Sequence, residues 1–168
     1  MASSSPSMSP AIDLDSLPGH LIRRLHQIAV GIFIQETEAL GITPMQFAAL
    51  QTVANSPGMD QRSLARSTAL DASTTGGVVD RLEARGLLER RIAPSDRRVR
   101  LLHLTPAGHE MLCQATPLML RTQQRILEPL PESERDLFLR QLNLLVQINN
   151  DHSRAPSEAK RAASISEH

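Results

Sequence analysis

Residues 87–106, LLERRIAPSDRRVRLLHLTP, limit the possible folds of this chain more than any other stretch. One apolar-and-basic run ends before Pro94, and a second runs from Val99 to Leu104. Between them lie Pro94-Ser95-Asp96 and Arg97-Arg98. Two short strand-like runs around such a loop read as a β-hairpin with an arginine tip. Thr105-Pro106 then opens a helix, with Thr105 as its cap. An arginine tip suits phosphates, or an A·T-rich minor groove where negative potential is concentrated.

The segment before the hairpin reads as two short helices with a tight turn. Asp60 caps Gln61 to Ser67, Ala69-Leu70-Asp71 is the turn, and Asp71 or Ser73 caps Ala72 to Arg85. Gly86 stops the second helix. Helix, turn, helix and basic hairpin together read as a device for reading DNA. Upstream, Leu14, Leu17, Leu21, Leu25, Ile28 and Ile32 follow helical spacing, so a first helix is expected from Leu14 to about Leu40, closed by Gly41. Thr43-Pro44 starts another that ends near Asn55. Downstream, a long helix is expected from Thr105 to about Leu127, kinked or broken at Pro117. Pro129 and Pro131 mark a loop, and Ser133 to about Asn149 forms the last helix.

This gives six helices and a small hairpin: mainly α, in a winged helix-turn-helix. Residues 1–13 read as a disordered Ser/Pro arm, 14–150 as the folded domain and 151–168 as a flexible tail. Within the domain, 43–104 is the winged module, and 14–40 with 105–150 are dimerisation helices. The first and last helices are apolar over more of their circumference than a small winged domain can cover. That surplus points to a second copy of the chain.

Composition narrows the chemistry. The chain has 168 residues, 40% hydrophobic but only 2% aromatic, with no Tyr and no Trp. Base stacking on aromatic side chains, the usual device for single strands, is therefore essentially absent. Formal net charge is zero, yet between Asp60 and Arg100 nine Arg stand against six acids, with no Lys. Arg is the cation suited to bidentate phosphate and guanine contacts. Cys113 is the only cysteine, which excludes a disulfide framework. No apolar run approaches the ~20 residues of a membrane span, and residues 1–10 lack the features of a signal peptide. A cytoplasmic protein is expected.

Taken in order, several pieces resemble the MarR family of bacterial transcription regulators. They are Leu40-Gly41-Ile42-Thr43-Pro44-Met45-Gln46-Phe47, Leu64-Ala65, Val79-Asp80-Arg81-Leu82-Glu83-Ala84-Arg85-Gly86-Leu87, Arg90-Arg91, Asp96-Arg97-Arg98 and Leu104-Thr105-Pro106-Ala107-Gly108. The resemblance implies a winged-helix homodimer on palindromic operators, joined through its first and last helices and in many members released by a small molecule. Where the family often has Thr-Arg in the recognition helix, this chain has Gly76-Gly77. Either the backbone approaches DNA closely there, or specificity lies in neighbouring residues. The stretch STTGGVVDRLEARGL is similar, within that family, to repressors of nicotinic acid breakdown that sense 6-hydroxynicotinate.

The candidate DNA contacts are Ser73, Thr74, Thr75, Gly77 and Arg81 at the major groove, and Asp96, Arg97 and Arg98 in the wing, where Asp96 and Arg98 pair while Arg97 projects. Ser73 can equally be a helix cap. His20 and Arg24, four apart on one helix face, could bind a carboxylate. Met45, Phe47 and Met111 could supply apolar walls, or simply fill the core. Cys113 reads as a buried structural thiol rather than a redox sensor. The histidines show no metal-ligand spacing, and neither metal nor cofactor is expected. No nucleophile elbow, phosphate loop or paired carboxylates suggest an enzyme. The resulting expectation is a repressor released by a small aromatic acid. The alternative is a DNA-binding regulator controlled by redox state or a protein partner.

Overall fold

Pro18 decides where the first helix begins. Its ring is disfavoured inside a helix but suits the first turn, where a backbone donor is not needed. Helix α1 accordingly runs Pro18–Glu36, and Leu14–Ser16 before it is a separate 3-10 turn capped by Asp13. Thr37 makes a second break: its hydroxyl lies 2.8 Å from the Phe33 carbonyl and 3.2 Å from that of Ile42. A further 3-10 turn, Glu38–Leu40, follows, and Gly41 takes φ +55°. The single helix expected over 14–40 is thus three pieces. The computed structural model describes residues 12–94 and 96–153. The arm expected over 1–13 and the tail over 151–168 lie almost wholly outside the described residues.

Helix α2, Pro44–Asn55, begins in a reciprocal cap: Gln46 N–H donates to Thr43 Oγ1 (3.2 Å) and Thr43 N–H to Gln46 Oε1 (3.1 Å). Helices α3 (Gln61–Thr68) and α4 (Ala72–Ala84) follow, then β2 (Leu88–Ile92) and β3 (Arg100–Leu104). A two-residue strand, β1 (Met59–Asp60), joins the far edge of β3, so the antiparallel sheet has order β1-β3-β2. Two residues are too few to show alternation, which is why the sequence does not reveal β1. The hairpin register pairs Leu88 with Leu104 and Ile92 with Arg100.

The core forms where α2, α3 and α4 meet the sheet. Leu50, Val53, Leu64, Val79, Leu82 and Leu102 have no exposed surface. Phe33 reaches this core from α1, meeting Phe47 edge-on at a centroid distance of 6.1 Å. Helix α5, Pro106–Leu127, continues through Pro117 without the expected break. The proline removes one backbone donor, to the carbonyl of Cys113. Cys113 is exposed, not buried as expected, so solvent reaches that turn.

Two joints hold α5 in place. At its start, Thr105 Oγ1 donates to the Gly86 carbonyl (2.5 Å), and a Cβ on Gly108 would fall 2.0 Å from the Leu87 carbonyl oxygen. Only glycine allows that approach. Near its end, Arg121 and Arg125 donate to Glu36 at 3.0 and 2.8 Å. Hydrogen bonds from Arg125, then Arg121, hold the Glu36 carboxyl below the usual range. Helix α6, Glu132–Ile148, differs from all the others in having no buried residue. Leu144, Leu145, Val146 and Ile148 on it are more than half exposed, as are Ile22 and Ile28 on α1.

Candidate nucleic-acid interface

The helix pair is built on two aspartates. Asp60 accepts the Ser63 N–H at 2.7 Å and starts α3. Hydrogen bonds from the Ser63 backbone, then its side chain, lower the Asp60 pKa. Ala69 closes the helix at φ +53°, a left-handed conformation that costs a non-glycine residue roughly 1–2 kcal/mol. Asp71 then caps α4 with both oxygens, accepting the Thr74 N–H at 2.8 Å and the Thr74 hydroxyl at 2.6 Å. The hydroxyl, then the backbone bond, hold the Asp71 carboxyl below its ordinary range. Of the two residues named from sequence, Asp71 is therefore the cap.

That cap sorts the threonines. Thr74 is engaged by Asp71. Thr75 is 1% exposed and its hydroxyl donates to the Asp71 carbonyl, so it faces the core and not a partner. This corrects its assignment as a DNA contact: position 75 is one turn from Val78 and Val79 and shares their inward face. Ser73 remains exposed at the helix start. Arg81 is exposed, and its guanidinium lies back over Gly77, with atoms 3.6 to 3.9 Å from where a Cβ would stand. At Gly76 an added Cβ would meet only the Gln61 amide, at 3.4 Å. Neither glycine has the positive φ or the close backbone neighbour that would require it.

The wing is held against α4 by a residue that sequence reasoning did not single out. Arg90 of β2 donates to Asp80 at 2.6 Å, pairs with Glu83, and reaches Gln61 at 3.4 Å. Burial works against the Arg90 charge, but the bonds to Asp80 and Glu83 outweigh it and raise its pKa. The spacing of Asp80 and Glu83, three apart on one helix face, is the signal that could have shown it. Arg91 pairs with Glu89 on its own strand. Arg85 donates to the Gly41 carbonyl at 2.8 Å and to that of Leu40 at 3.1 Å.

At the wing tip, Asp96 accepts the backbone N–H of Arg98 at 2.8 Å, and the Val99 N–H bonds the Asp96 carbonyl at 3.0 Å. The expected side-chain pairing of Asp96 with Arg98 is replaced by this backbone turn. Arg100 donates to the Arg97 carbonyl at 2.6 Å. The guanidinium groups of Arg97 and Arg98 bond no described residue, and both are exposed. Beside the start of α4, Gln61, Arg62, Ala65, Arg66 and Ala72 line a recess of about 250 Å³. Arg62 and Arg66 thus add cations that the sequence reading did not assign.

The residues expected to bind a small acid are not gathered within one chain. His20 and Arg24 both face Asp15, at 3.6 and 3.4 Å. Phe47 is buried against Phe33, which lies 13 residues beyond His20, about 20 Å along a helix rising 1.5 Å per residue. Phe47 is therefore core, not a wall for a ligand held at His20. Met111 packs on the same core, and Met45 is exposed. Among the described residues no group of His, Cys, Asp and Glu is placed to hold a metal ion, and no helix is long and apolar enough to cross a membrane.

A helix-turn-helix locked to an arginine-tipped antiparallel wing is a winged helix-turn-helix, a class built to bind DNA. Comparison with known proteins narrows the class. The MarR family model matches residues 40–99. The HTH-type transcriptional repressor NicR of Pseudomonas putida is 30% identical over 149 residues, covering 89% of this chain and 94% of its own. Among solved structures, Bordetella bronchiseptica BpsR, whose DNA binding is regulated by 6-hydroxynicotinic acid, matches with TM-score 0.75 at 30% identity, over 81% of this chain and 97% of that one. The transcriptional repressor CouR bound to a 23-mer DNA duplex matches with TM-score 0.74 at 30% identity, over 79% and 94%. The chain belongs to the MarR family and is a transcriptional regulator of that type, not an enzyme.

Proposed function

We propose that the protein is a repressor that binds a palindromic operator as a homodimer and is released by a small aromatic carboxylate. One observation carries the DNA reading. Within a module whose other arginines are largely engaged, Arg81, Arg97 and Arg98 are exposed and bond no described residue. Charges left unpaired on a rigid head suit phosphates and base edges. In this reading Ser73, Thr74 and the bare backbone at Gly77 work at the major groove with Arg81. Arg97 and Arg98 enter the flanking minor groove, on a loop shaped by Asp96. The dimer reading rests on α6, which buries nothing against its own chain and needs a second copy to cover it.

For the effector, 6-hydroxynicotinate is the first candidate, supported by the likeness to NicR and BpsR. Its carboxylate would take the place of Asp15 on His20 and Arg24. Since Met111 lies with the core near the other end of α1, its apolar walls, Met45 and Met111, would come from the second protomer. Control by redox state, the alternative, has the exposed Cys113 in its favour but no second cysteine. Selection of bound DNA from a random pool, followed by release tests with aromatic acids, is the experiment. Enrichment of a palindrome, released by 6-hydroxynicotinate and not by Arg24→Ala dimers so treated, is expected. Enrichment of no sequence would overturn the reading.

A further inference from the structure

We infer that Arg85 is the positioning residue that sets the angle of each reading head, and thereby the half-site spacing the dimer accepts. The inference rests on the dimeric, palindrome-binding reading above. An arginine capping the end of a recognition helix would ordinarily be counted among the phosphate contacts. The geometry assigns it elsewhere. Both terminal nitrogens of Arg85 are used inside the chain, on the Gly41 carbonyl at 2.8 Å and the Leu40 carbonyl at 3.1 Å. Those carbonyls end the 3-10 turn that leads out of α1, 44 and 45 residues away in sequence.

Apart from the Thr37 to Ile42 bond within the connecting segment itself, the links between the reading head and the long helices explain why this one matters. At the start of α5, Thr105 and Gly108 are pressed against Gly86 and Leu87. That contact is a tight pivot, and beyond it Leu112 and Ala115 of α5 add apolar packing against the head's core. At the end of α1, Phe33 meets Phe47 through apolar contact. Such packing fixes position more firmly than angle, because even an edge-on ring pair has a broader energy well than a hydrogen bond. Hydrogen bonds are directional and weaken steeply when bent. The two from Arg85 are charge-assisted and end on a segment distinct from the pivot. A directional attachment away from the pivot stiffens the rotation that apolar packing restrains only loosely.

The two recognition helices of a dimer must reach major grooves one helical turn apart, about 34 Å. Adding one base pair between half-sites shifts the target by about 3.4 Å and turns it by roughly 35°. A head fixed in angle rejects that operator, and a head free to swivel accepts it. The test is a spacing series: the selected operator, and versions lengthened or shortened by one base pair, titrated with wild type, Arg85→Ala and Arg85→Lys dimers. Salt dependence is measured on each.

Arg85→Ala should reduce the preference for correct spacing by about tenfold, the scale of one charge-assisted hydrogen bond. Its slope of log K against log salt should stay at the wild-type value. Arg85→Lys, able to reach one carbonyl, should fall between. A wild-type spacing profile in folded Arg85→Ala and Arg85→Lys dimers would overturn the inference. So would a salt slope lowered by about 0.9, the mark of a lost phosphate contact. Wild type indifferent to spacing would overturn the palindrome reading, and this inference with it. Because Gly41 is exposed, water can replace the guanidinium on its carbonyl, and Arg85→Lys keeps the charge if the alanine variant folds poorly.

Discussion

The reading head is complete within one chain, whereas the helices that carry it are not. Around Leu50, Leu64, Leu82 and Leu102 every large side chain is covered. Along α6 none is fully buried, and α1 buries only Phe33. The same kinds of residue, mostly Leu, Ile and Val, serve both regions. What differs is whether the chain itself supplies the covering surface. Hydrophobic pattern alone therefore distinguishes a core from an interface only when the amount of surface available to cover it is considered.

Breaking the comparison at its strongest point calls for matched truncations. Leu82→Ala should cost about 2–5 kcal/mol of stability, independent of protein concentration. Leu145→Ala should leave the head's own stability unchanged and make the melting temperature fall with dilution, because it acts through a second copy. Differential scanning calorimetry at two concentrations separates them. A concentration-independent loss in Leu145→Ala would show that α6 folds onto its own chain.

Gly108→Ala tests the seam between the regions. The added methyl must displace the Leu87 carbonyl, so a loss of about 1–3 kcal/mol is expected in a urea midpoint. Asp71→Ala removes the cap of α4 and should cost about 1 kcal/mol. Gly77→Ala should instead add up to roughly 1 kcal/mol, since the site has room for a methyl. If that variant is stabilised while operator affinity falls, the glycine serves the DNA and not the fold.

Two smaller effects sharpen the contrast in charge. Arg97→Ala should lower the salt slope by roughly 0.9, with affinity falling alike on many sequences. Unchanged slope in the folded variant would remove the wing from the contact surface. The Glu36 clamp responds to acid. Its folded pKa is depressed by Arg125 and Arg121, so its stabilisation is full above the unfolded value, about 4.3, and fades as pH falls through the folded value. Glu36→Gln should remove that fading, so wild-type and variant urea midpoints converge as the pH is lowered.

The residues that declared themselves in the sequence act locally. Thr43, Asp60, Asp71 and Thr105 cap helices because a short polar side chain two or three residues ahead of an amide has one obvious use. The hairpin showed through its two short strand-like runs and the polar turn between them. What did not show depends on distant partners. Arg85 and Arg90 look like two more surface arginines until the fold brings them to residues 41 and 80. Thr75 looked like an outward hydroxyl because α4 begins with three hydroxyl residues in a row, and only the packing of Val78 and Val79 reveals which turn inward. The proposed ligand residues suffered most, since His20 lies near the start of α1 and Phe47 of α2 packs against Phe33 near its end.

The double grip of Asp71 on Thr74 has one more result. A bare helix start draws phosphate through its free amides and partial positive charge. Here a carboxylate already occupies that end, so on the proposed docking α4 would meet the double helix with a tip that repels the sugar-phosphate edge. Docking of the strand's backbone would then fall to arginine side chains at a distance from the tip, leaving the tip itself for the groove floor. On that floor a carboxylate tolerates the amino groups of cytosine and adenine and is at odds with the acceptor edge of guanine. On the docking proposed above, the residue that starts the helix would thus also act as a filter on what lies beneath it.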